Sequence, residues 1–329
     1  MNVVTPSSPS ASDVRYRVDI EGGDAASRIA YAQPLVLDGG FSGLVDVGPF
    51  LLASNSDGIG SKVLVAQALD KHDTLGYDLV AMVADDCVCV GAEPLFLTDT
   101  LDVERVNQKV ATYLMSGLHD ACLAAGVALV GGEIAELPDQ VKGYTWNAAL
   151  VGIVSRDRVL GRDRVLRGDA LVGLLVSNFR SNGFTLVRSI LEKELGPGWP
   201  QVPYNEKKTW GEEVLTPSDI FAPFVLDMVG RFQAPPEVAV HGIAHITGGG
   251  LSANVSRVLP EGLSPVFTNL PPPPRMMEDV KKMGGISDEE AYKVWNMGIG
   301  MVVITPSPCG VLKMAEERDI PAQVIGEVR

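Results

Sequence analysis

Cysteine is scarce in this sequence, histidine equally so, and positive charge falls well short of negative. The four cysteines, Cys87, Cys89, Cys122 and Cys309, form no Cys-x-x-Cys pair and sit in apolar stretches. That argues against a disulfide framework or a thiolate zinc site, and for buried thiols in a reducing compartment. Of the four histidines, His72 and His119 read as surface residues, while His241 and His245 are four apart on a predicted strand, a poor geometry for sharing a metal. Lys plus Arg is 27 against 41 Asp plus Glu, a net charge of -14. Such a surface repels nucleic-acid phosphates and anionic lipid. A phosphate-bearing ligand must therefore be held locally, by metal ions, backbone N–H groups or one or two placed cations. No apolar run approaches the ~20 residues needed to span a bilayer. Residues 1–15 are small and polar without an apolar signal core, and read as a disordered tail on a cytoplasmic protein.

What is present is a core-sized share of apolar residues, 46% of 329, enough for about two domains. The hydrophobic pattern alternates strand-like and helix-like segments in both halves. In the first half it predicts a strand over Phe50–Ser54, a helix over Leu75–Val90 with Thr74 as N-cap, and a strand over Leu95–Leu101. A helix over Val103–Ala125, stopped by Gly126, and a strand from Val127 complete a β-α-β unit. Arg156–Gly168 is charged and poor in apolar groups, and marks a seam between domains of 16–165 and 166–329. The second half predicts a strand at Ala170–Val176, a helix over Gly183–Leu195, and a helix starting with Thr216 as N-cap and Pro217 at its first position. A strand at His241–Ile246 runs into three glycines and a further helix, Ser287 caps another, and strands at Gly300–Thr305 and Gln323–Val328 end the chain.

Five segments carry candidate chemistry. Asp57-Gly58-Ile59-Gly60-Ser61-Lys62 follows a strand. Its glycines let backbone N–H groups approach a ligand, its lysine can meet phosphate, and its aspartate can hold Mg²⁺. The spacing is neither a Walker A loop nor a dinucleotide fingerprint, and a plain glycine turn with a surface lysine is an equal alternative. Asp85-Asp86 lies late in an apolar helix, where carboxylates oppose the helix dipole and lose hydration. A bound cation would compensate, and a structural N–H or arginine partner is the alternative. Glu133, after Val130-Gly131-Gly132, is a third acid. Ser181-Asn182-Gly183 and Thr247-Gly248-Gly249-Gly250 each join a strand to a helix and offer anion pockets.

Together these segments, with Gly39–Leu44, His72–Met82, Asp86–Phe96 and Asn296–Met301, occur in the order seen in the aminoimidazole ribonucleotide synthetase (phosphoribosylformylglycinamidine cyclo-ligase) family, which the chain resembles from about Tyr16 to its end. The resemblance implies an α+β N-terminal domain (16–165) that binds ATP and dimerises, its strands joining a dimeric β-barrel. It also implies a layered α/β C-terminal domain (166–329) on the substrate side, with a glycine-rich turn. ATP and Mg²⁺ would be the cofactors, a ribonucleotide the substrate, and a homodimer the assembly. Asp86, Lys62 and His245 would be catalytic. Asp57, Gly58, Gly60, Ser61, Lys62, Asp85 and Glu133 would bind ATP, with Asp57, Asp86 and Glu133 holding the metal. Ser181, Asn182, Gly183, Thr247, Gly248, Gly249 and Gly250 would take the substrate phosphate.

The sequence also departs from the family pattern. Asp85-Asp86 stands where the family has Asn-Asp, Arg180 where it has His, and Tyr144–Ala148 replaces a Tyr-Asp-Leu-Ala-Gly stretch. A divergent paralogue acting on another substrate, a related kinase, and a nucleotide-binding scaffold without turnover remain open on these residues. A selenophosphate-type enzyme would need a reactive N-terminal cysteine, and the first cysteine here is Cys87.

Overall fold

The computed structural model describes residues 36–329, together with the single positions Gly22 and Ala25. The predicted tail and the start of the first domain lie outside the described residues. Strands β1 (Val36–Asp38), β2 (Gly43–Asp46) and β3 (Phe50–Gly58) form an antiparallel meander. After helix α1 (Val63–Leu69) and helix α2 (Leu75–Cys89), strand β4 (Glu93–Val103), helix α3 (Gln108–Ala125) and strand β5 (Ala128–Glu136) make the expected β-α-β unit, with β4 and β5 parallel. Strand β6 (Tyr144–Ser155) then inserts between β3 and β4, giving an open six-stranded mixed sheet of order β1-β2-β3-β6-β4-β5.

Helices α2 and α3 cover one face of this sheet. They cross at two glycines: a Cβ on Gly76 would lie 2.2 Å from the carbonyl carbon of Gly117, so no larger residue fits there. Alternation along β6 is strict. Tyr144, Trp146, Ala148 and Leu150 are buried towards the helices, and Thr145, Asn147 and Ala149 are exposed on the other face. The last strand, β5, is exposed along nearly its whole length, including Leu129, Val130 and Ile134.

The second sheet is antiparallel, in the order β8-β10-β7-β11-β9: β7 (Ala170–Leu175), β8 (Gly242–His245), β9 (Pro265–Phe267), β10 (Ile299–Thr305) and β11 (Ala322–Val328). Every residue of β8 and β10 is buried. Helices α4 (Phe184–Leu195), α5 (Trp210–Val214), α6 (Ala222–Val229), α7 (Gly250–Ser256), α8 (Arg275–Gly284), α9 (Asp288–Val294) and α10 (Pro308–Glu317) surround it. Short 3₁₀ turns at Arg156–Arg158 and Arg162–Arg164 occupy the charged seam. The architecture is therefore two α/β units with mixed and antiparallel sheets, and neither sheet closes on itself.

Several expectations need correction. Thr216 caps no helix: residues 216–221 are non-helical and α6 begins only at Ala222. The reason is tertiary, since carbonyls and N–H groups of this stretch bond Lys62, Asn178 and Asp78 instead of continuing a turn. Thr74 precedes α2 without a side-chain cap bond, and Asn107, not Val103, opens α3, its side chain accepting from Val110 N–H. His72 is buried, its Nδ1 2.8 Å from the Tyr144 hydroxyl. Cys309 is exposed at the start of α10, whereas Cys87, Cys89 and Cys122 are buried.

Candidate active site

The predicted segments converge between the two sheets. Strand β3 delivers Asp57 at its carboxyl end, and the chain turns at Gly60–Lys62 into α1. The geometry separates two roles that the sequence leaves joined. The Lys62 ammonium is fully buried and spends its three N–H bonds inside the protein: on Asp78 Oδ1 (2.8 Å), the Arg180 carbonyl (3.0 Å) and the Thr216 carbonyl (2.7 Å). Asp78 Oδ1 also accepts from Ser218 N–H and Oγ–H at 3.0 and 2.5 Å. Burial pushes Lys62 down and Asp78 up, and their pairing opposes both shifts. This lysine ties α2 to the second domain and has no N–H left for a phosphate. Ser61 Oγ is likewise engaged, 3.2 Å from Thr185 Oγ1 on α4.

The adjacent acids Asp85 and Asp86 diverge. Consecutive helix positions point ~100° apart, and here one carboxylate enters the core while the other faces the cleft. Asp85 is fully buried. Its Oδ2 takes Arg180 Nη2–H at 2.5 Å, and its Oδ1 takes the N–H groups of Phe221 and Ala222, both at 2.9 Å, at the start of α6. A carboxylate at a helix N-terminus facing a guanidinium is well compensated. It also has no oxygen free for ATP, so the expected ATP contact of Asp85 is not what this structure provides.

Asp86 keeps one oxygen free. Its Oδ1 lies 2.7 Å from His245 Nδ1, and His245 Nε2 lies 2.6 Å from Arg180 Nη1. An arginine nitrogen can only donate, so His245 Nε2 accepts and Nδ1 carries the proton towards Asp86. Burial, then the Arg180 charge, holds His245 down at about 3, so the ring is neutral. It is completely buried, and it acts on Asp86 rather than on a ligand. Burial raises Asp86 to about 7, and raises Asp57 to about 6, with the Asp86 charge adding to the latter rise. Carboxylates at the mouth of a cleft are the donor type that a divalent cation asks for, one or two of them together with phosphate oxygens. Glu133 does not join them. It pairs in register with Thr100, which pairs with Asn147, which pairs with Gly58, so it stands three strands from β3, roughly 14 Å away at ~4.8 Å per strand. Among the described residues, no group of three His, Cys, Asp or Glu side chains is close enough to share a metal.

Both glycine turns back onto one segment. A Cβ on Gly183 (φ +71°) would strike the Trp295 ring, and one on Gly250 (φ +72°) would lie 1.8 Å from the Tyr292 carbonyl oxygen. These two positions therefore demand glycine. Asn254 bonds the carbonyls of Thr247, Gly248 and Gly250 through its amide and so fixes the second turn, while a Cβ on Gly248 would meet nothing within 4 Å. His245 precedes this turn directly, which links the Asp86 pair to it. Ser181 is buried and its hydroxyl has no partner; Asn182 is partly exposed beside it.

Sequence reasoning missed two residues. Arg180, read as a departure near the substrate, is fully buried: besides Asp85 and His245 it bonds the carbonyls of Asp219 and Gly300. Its left-handed backbone (φ 55°) is held by Asn178 Oδ1, which accepts Arg180 N–H at 2.8 Å. The departures at 85 and 180 are thus one ion pair, a signal that two charged residues arriving together could have given. The other is Arg257, exposed beside Asp86 and stacked on the Phe41 ring at 5.2 Å.

Comparison with known proteins matches both halves. The model of the AIR synthase related protein, N-terminal domain, covers residues 39–154, and that of the C-terminal domain covers 167–329. A phosphoribosylformylglycinamidine cyclo-ligase of Pseudothermotoga lettingae is 36% identical, over 94% of this chain and 95% of the relative. One of Pyrococcus furiosus is 39% identical over 81% and 75%. Among solved structures, a thiamine-monophosphate kinase from Stenotrophomonas maltophilia superposes with a TM-score of 0.63 at 16% identity, over 93% of this chain and 92% of that one. A Thermotoga maritima PurL complexed with AMPPCP gives 0.59 at 17%, over 92% and 44%. At those identities they speak for the fold alone. The matched halves and the identity to full-length relatives establish that this chain belongs to the AIR synthase related family.

Proposed function

We propose that the chain is an ATP-dependent cyclo-ligase that converts formylglycinamidine ribonucleotide to aminoimidazole ribonucleotide. The formyl oxygen of the substrate attacks the γ-phosphorus of ATP, and the bond to the bridging oxygen breaks to release ADP. An internal nitrogen then attacks the activated carbon, phosphate leaves, and the imidazole ring is closed. Such chemistry needs positioning and charge neutralisation rather than a protein nucleophile, and the cleft supplies acids, glycine turns and no nucleophile. One observation carries the ATP assignment: Asp57 and Asp86 bring carboxylates with raised pKa values to the cleft, while Lys62, Asp78, Asp85 and Arg180 are paired internally. They fit Mg²⁺, which would neutralise the triphosphate when bound. Asp86 would be held in place by His245 Nδ1–H, and His245 by Arg180. Lys62 and Asp85 position the domains rather than touch ligand. The turns at Ser181–Gly183 and Thr247–Gly250 would take the ribonucleotide phosphate. Purified protein given formylglycinamidine ribonucleotide, ATP and Mg²⁺ should release ADP and form an aminoimidazole product, read as its coloured diazo-coupling dye, in equal amounts. No ADP release above the substrate-free rate would refute the assignment.

A homodimer follows from the same reading. Strand β5 is a nine-residue strand that no other strand among the described residues pairs on its outer side, with Leu129, Val130 and Ile134 exposed. An uncovered edge of this kind invites pairing, and strands of two copies completing a shared barrel would cover it. Val130→Glu is expected to shift the sedimentation coefficient from dimer to monomer. A wild type that sediments as a monomer at micromolar concentration would dispose of the barrel. Three buried thiols support a reducing, cytoplasmic setting, and no helix among the described residues is long and apolar enough to cross a membrane.

A further inference from the structure

Arg257 stands out as a cation with an unused face in a protein of net charge -14. It follows α7 directly, so the helix that begins at the Gly249-Gly250 turn ends at this residue, ~10 Å further on at ~1.5 Å per residue. Its backbone is pinned: its N–H donates to the Ala253 and Asn254 carbonyls, and its carbonyl accepts from Arg162 Nε–H at 2.9 Å. Its guanidinium lies over the ring of Phe41, a buried residue of the loop before β2, at 5.2 Å. A cation–π contact of this kind uses none of the guanidinium N–H donors. Among the described residues no carboxylate lies within 4.0 Å of it. Phe41 adjoins Ser42, whose hydroxyl donates to the Asp86 carbonyl at 3.1 Å and accepts from Asn55 Nδ2–H at 3.0 Å, so the guanidinium stands beside the turn of α2 that carries Asp86 and the end of β3 that carries Asp57. A guanidinium with no carboxylate partner among the described residues is therefore held over Phe41, next to the residue that bonds the Asp86 backbone. The other arginine of the site, Arg180, is buried, and its two terminal nitrogens Nη1 and Nη2 bond Asp85, His245 and backbone carbonyls.

We propose that Arg257 is the phosphoryl-binding cation of this site, its N–H edge meeting the oxygens of a phosphoryl group seated between the guanidinium and the Asp57–Asp86 pair. The assignment rests on the ATP-dependent reading above. A guanidinium fork matches two phosphoryl oxygens at once, which a lysine cannot do. Phe41 supplies the rigidity that an exposed arginine otherwise lacks. The phosphoryl group is either the terminal one of ATP or that of the ribonucleotide, and the two sources separate by experiment.

Calorimetric titration of wild type, Arg257→Gln and Arg257→Lys with Mg²⁺ plus AMPPCP, and separately with ribose 5-phosphate, provides the test. Arg257→Gln should weaken one ligand tenfold or more and leave the other within twofold. Arg257→Lys should fall between, and melting temperatures should stay close to wild type because no internal bond of the guanidinium is lost. Loss on the AMPPCP arm places the nucleotide there, and loss on the ribose 5-phosphate arm places the ribonucleotide. Should Arg257→Gln fail to fold, Phe41→Leu, which frees the guanidinium without removing it, should weaken the same ligand severalfold. Wild-type binding with both ligands unaffected in the variants overturns this assignment alone. A wild type that binds neither overturns the reading of the whole site with it.

Discussion

Asp86→Asn is expected to abolish turnover and, at the same time, to raise the melting temperature of the ligand-free protein. The two effects share one cause. Burial raises the Asp86 carboxyl from its ordinary value to about 7, so at pH 8 the folded protein holds an ionised group that would rather be in water. The sign is fixed by the direction of the shift. Below the ordinary value both folded and unfolded states hold the proton and nothing is lost. Between that value and about 7 only the unfolded state ionises, so wild-type stability falls as pH rises through this window, and the loss is complete above it. Three pKa units correspond to ~4 kcal/mol. The amide oxygen of asparagine still accepts from His245 Nδ1–H, though more weakly, which returns ~1–2 kcal/mol. A net gain of ~2 kcal/mol corresponds to a rise of about 4 °C or more at pH 8, and it should vanish near pH 4. Activity moves the other way. Without the Asp86 charge the cation site keeps Asp57 alone, and the rate of ADP release should drop about 10³-fold, as when a preorganised charge contact is removed from other active sites. In wild type, ADP release should decline as pH falls through 7 towards 6, where first Asp86 and then Asp57 take up protons. Scanning calorimetry at pH 4 and 8, with a coupled ADP assay, measures both. Retained turnover in Asp86→Asn removes the acid from the mechanism, and a lower melting temperature at pH 8 shows that its charge is compensated.

What could be read from the sequence depended on the range of the forces involved. The β4-α3-β5 unit was legible because its apolar spacing is local and Gly126 ends the helix in a left-handed turn. The glycine turns were legible for a related reason, since glycine is costly without a steric need, and Gly183 and Gly250 meet such a need against Trp295 and Tyr292. The fates of Asp85 and Asp86 were not legible. One step along a helix decides which carboxylate finds Arg180 and which faces the cleft, and Arg180 is 95 residues away. Lys62 misled for the same reason: a lysine after two glycines suggests a phosphate, but three internal acceptors claim it. Thr216-Pro217 has the local signature of a helix start, and bonds to Lys62 and Asn178 override it. Tertiary pairing of buried charge is invisible to local pattern, and this site is built mostly from such pairs.

The Asp85–Arg180 pair gives the second large effect. Arg180→His leaves Asp85 fully buried with only the two N–H groups of α6 and a shorter ring in place of the guanidinium. Asp85→Asn leaves a buried guanidinium facing an amide. Removing one partner of a buried ion pair typically costs ~3–5 kcal/mol, because the survivor remains charged and unpaired. Each single variant should therefore lose that order of stability, seen as a shift of the urea midpoint. The double variant Asp85→Asn, Arg180→His puts back the residue types of the family pattern at both positions, and no uncompensated charge remains. It should recover to within ~2 kcal/mol of wild type, a coupling of at least ~4 kcal/mol between sites in direct contact. Additive losses would show that the two substitutions are independent, and would return Arg180 to the substrate side as a specificity change. Coupled losses locate the departures inside the protein, where they keep His245 neutral and its Nδ1–H on Asp86. The cleft facing the ligand is then unaltered at these two positions, and the exchange of an Asn and a His for an ion pair leaves the reaction of the family as the reaction expected of this chain.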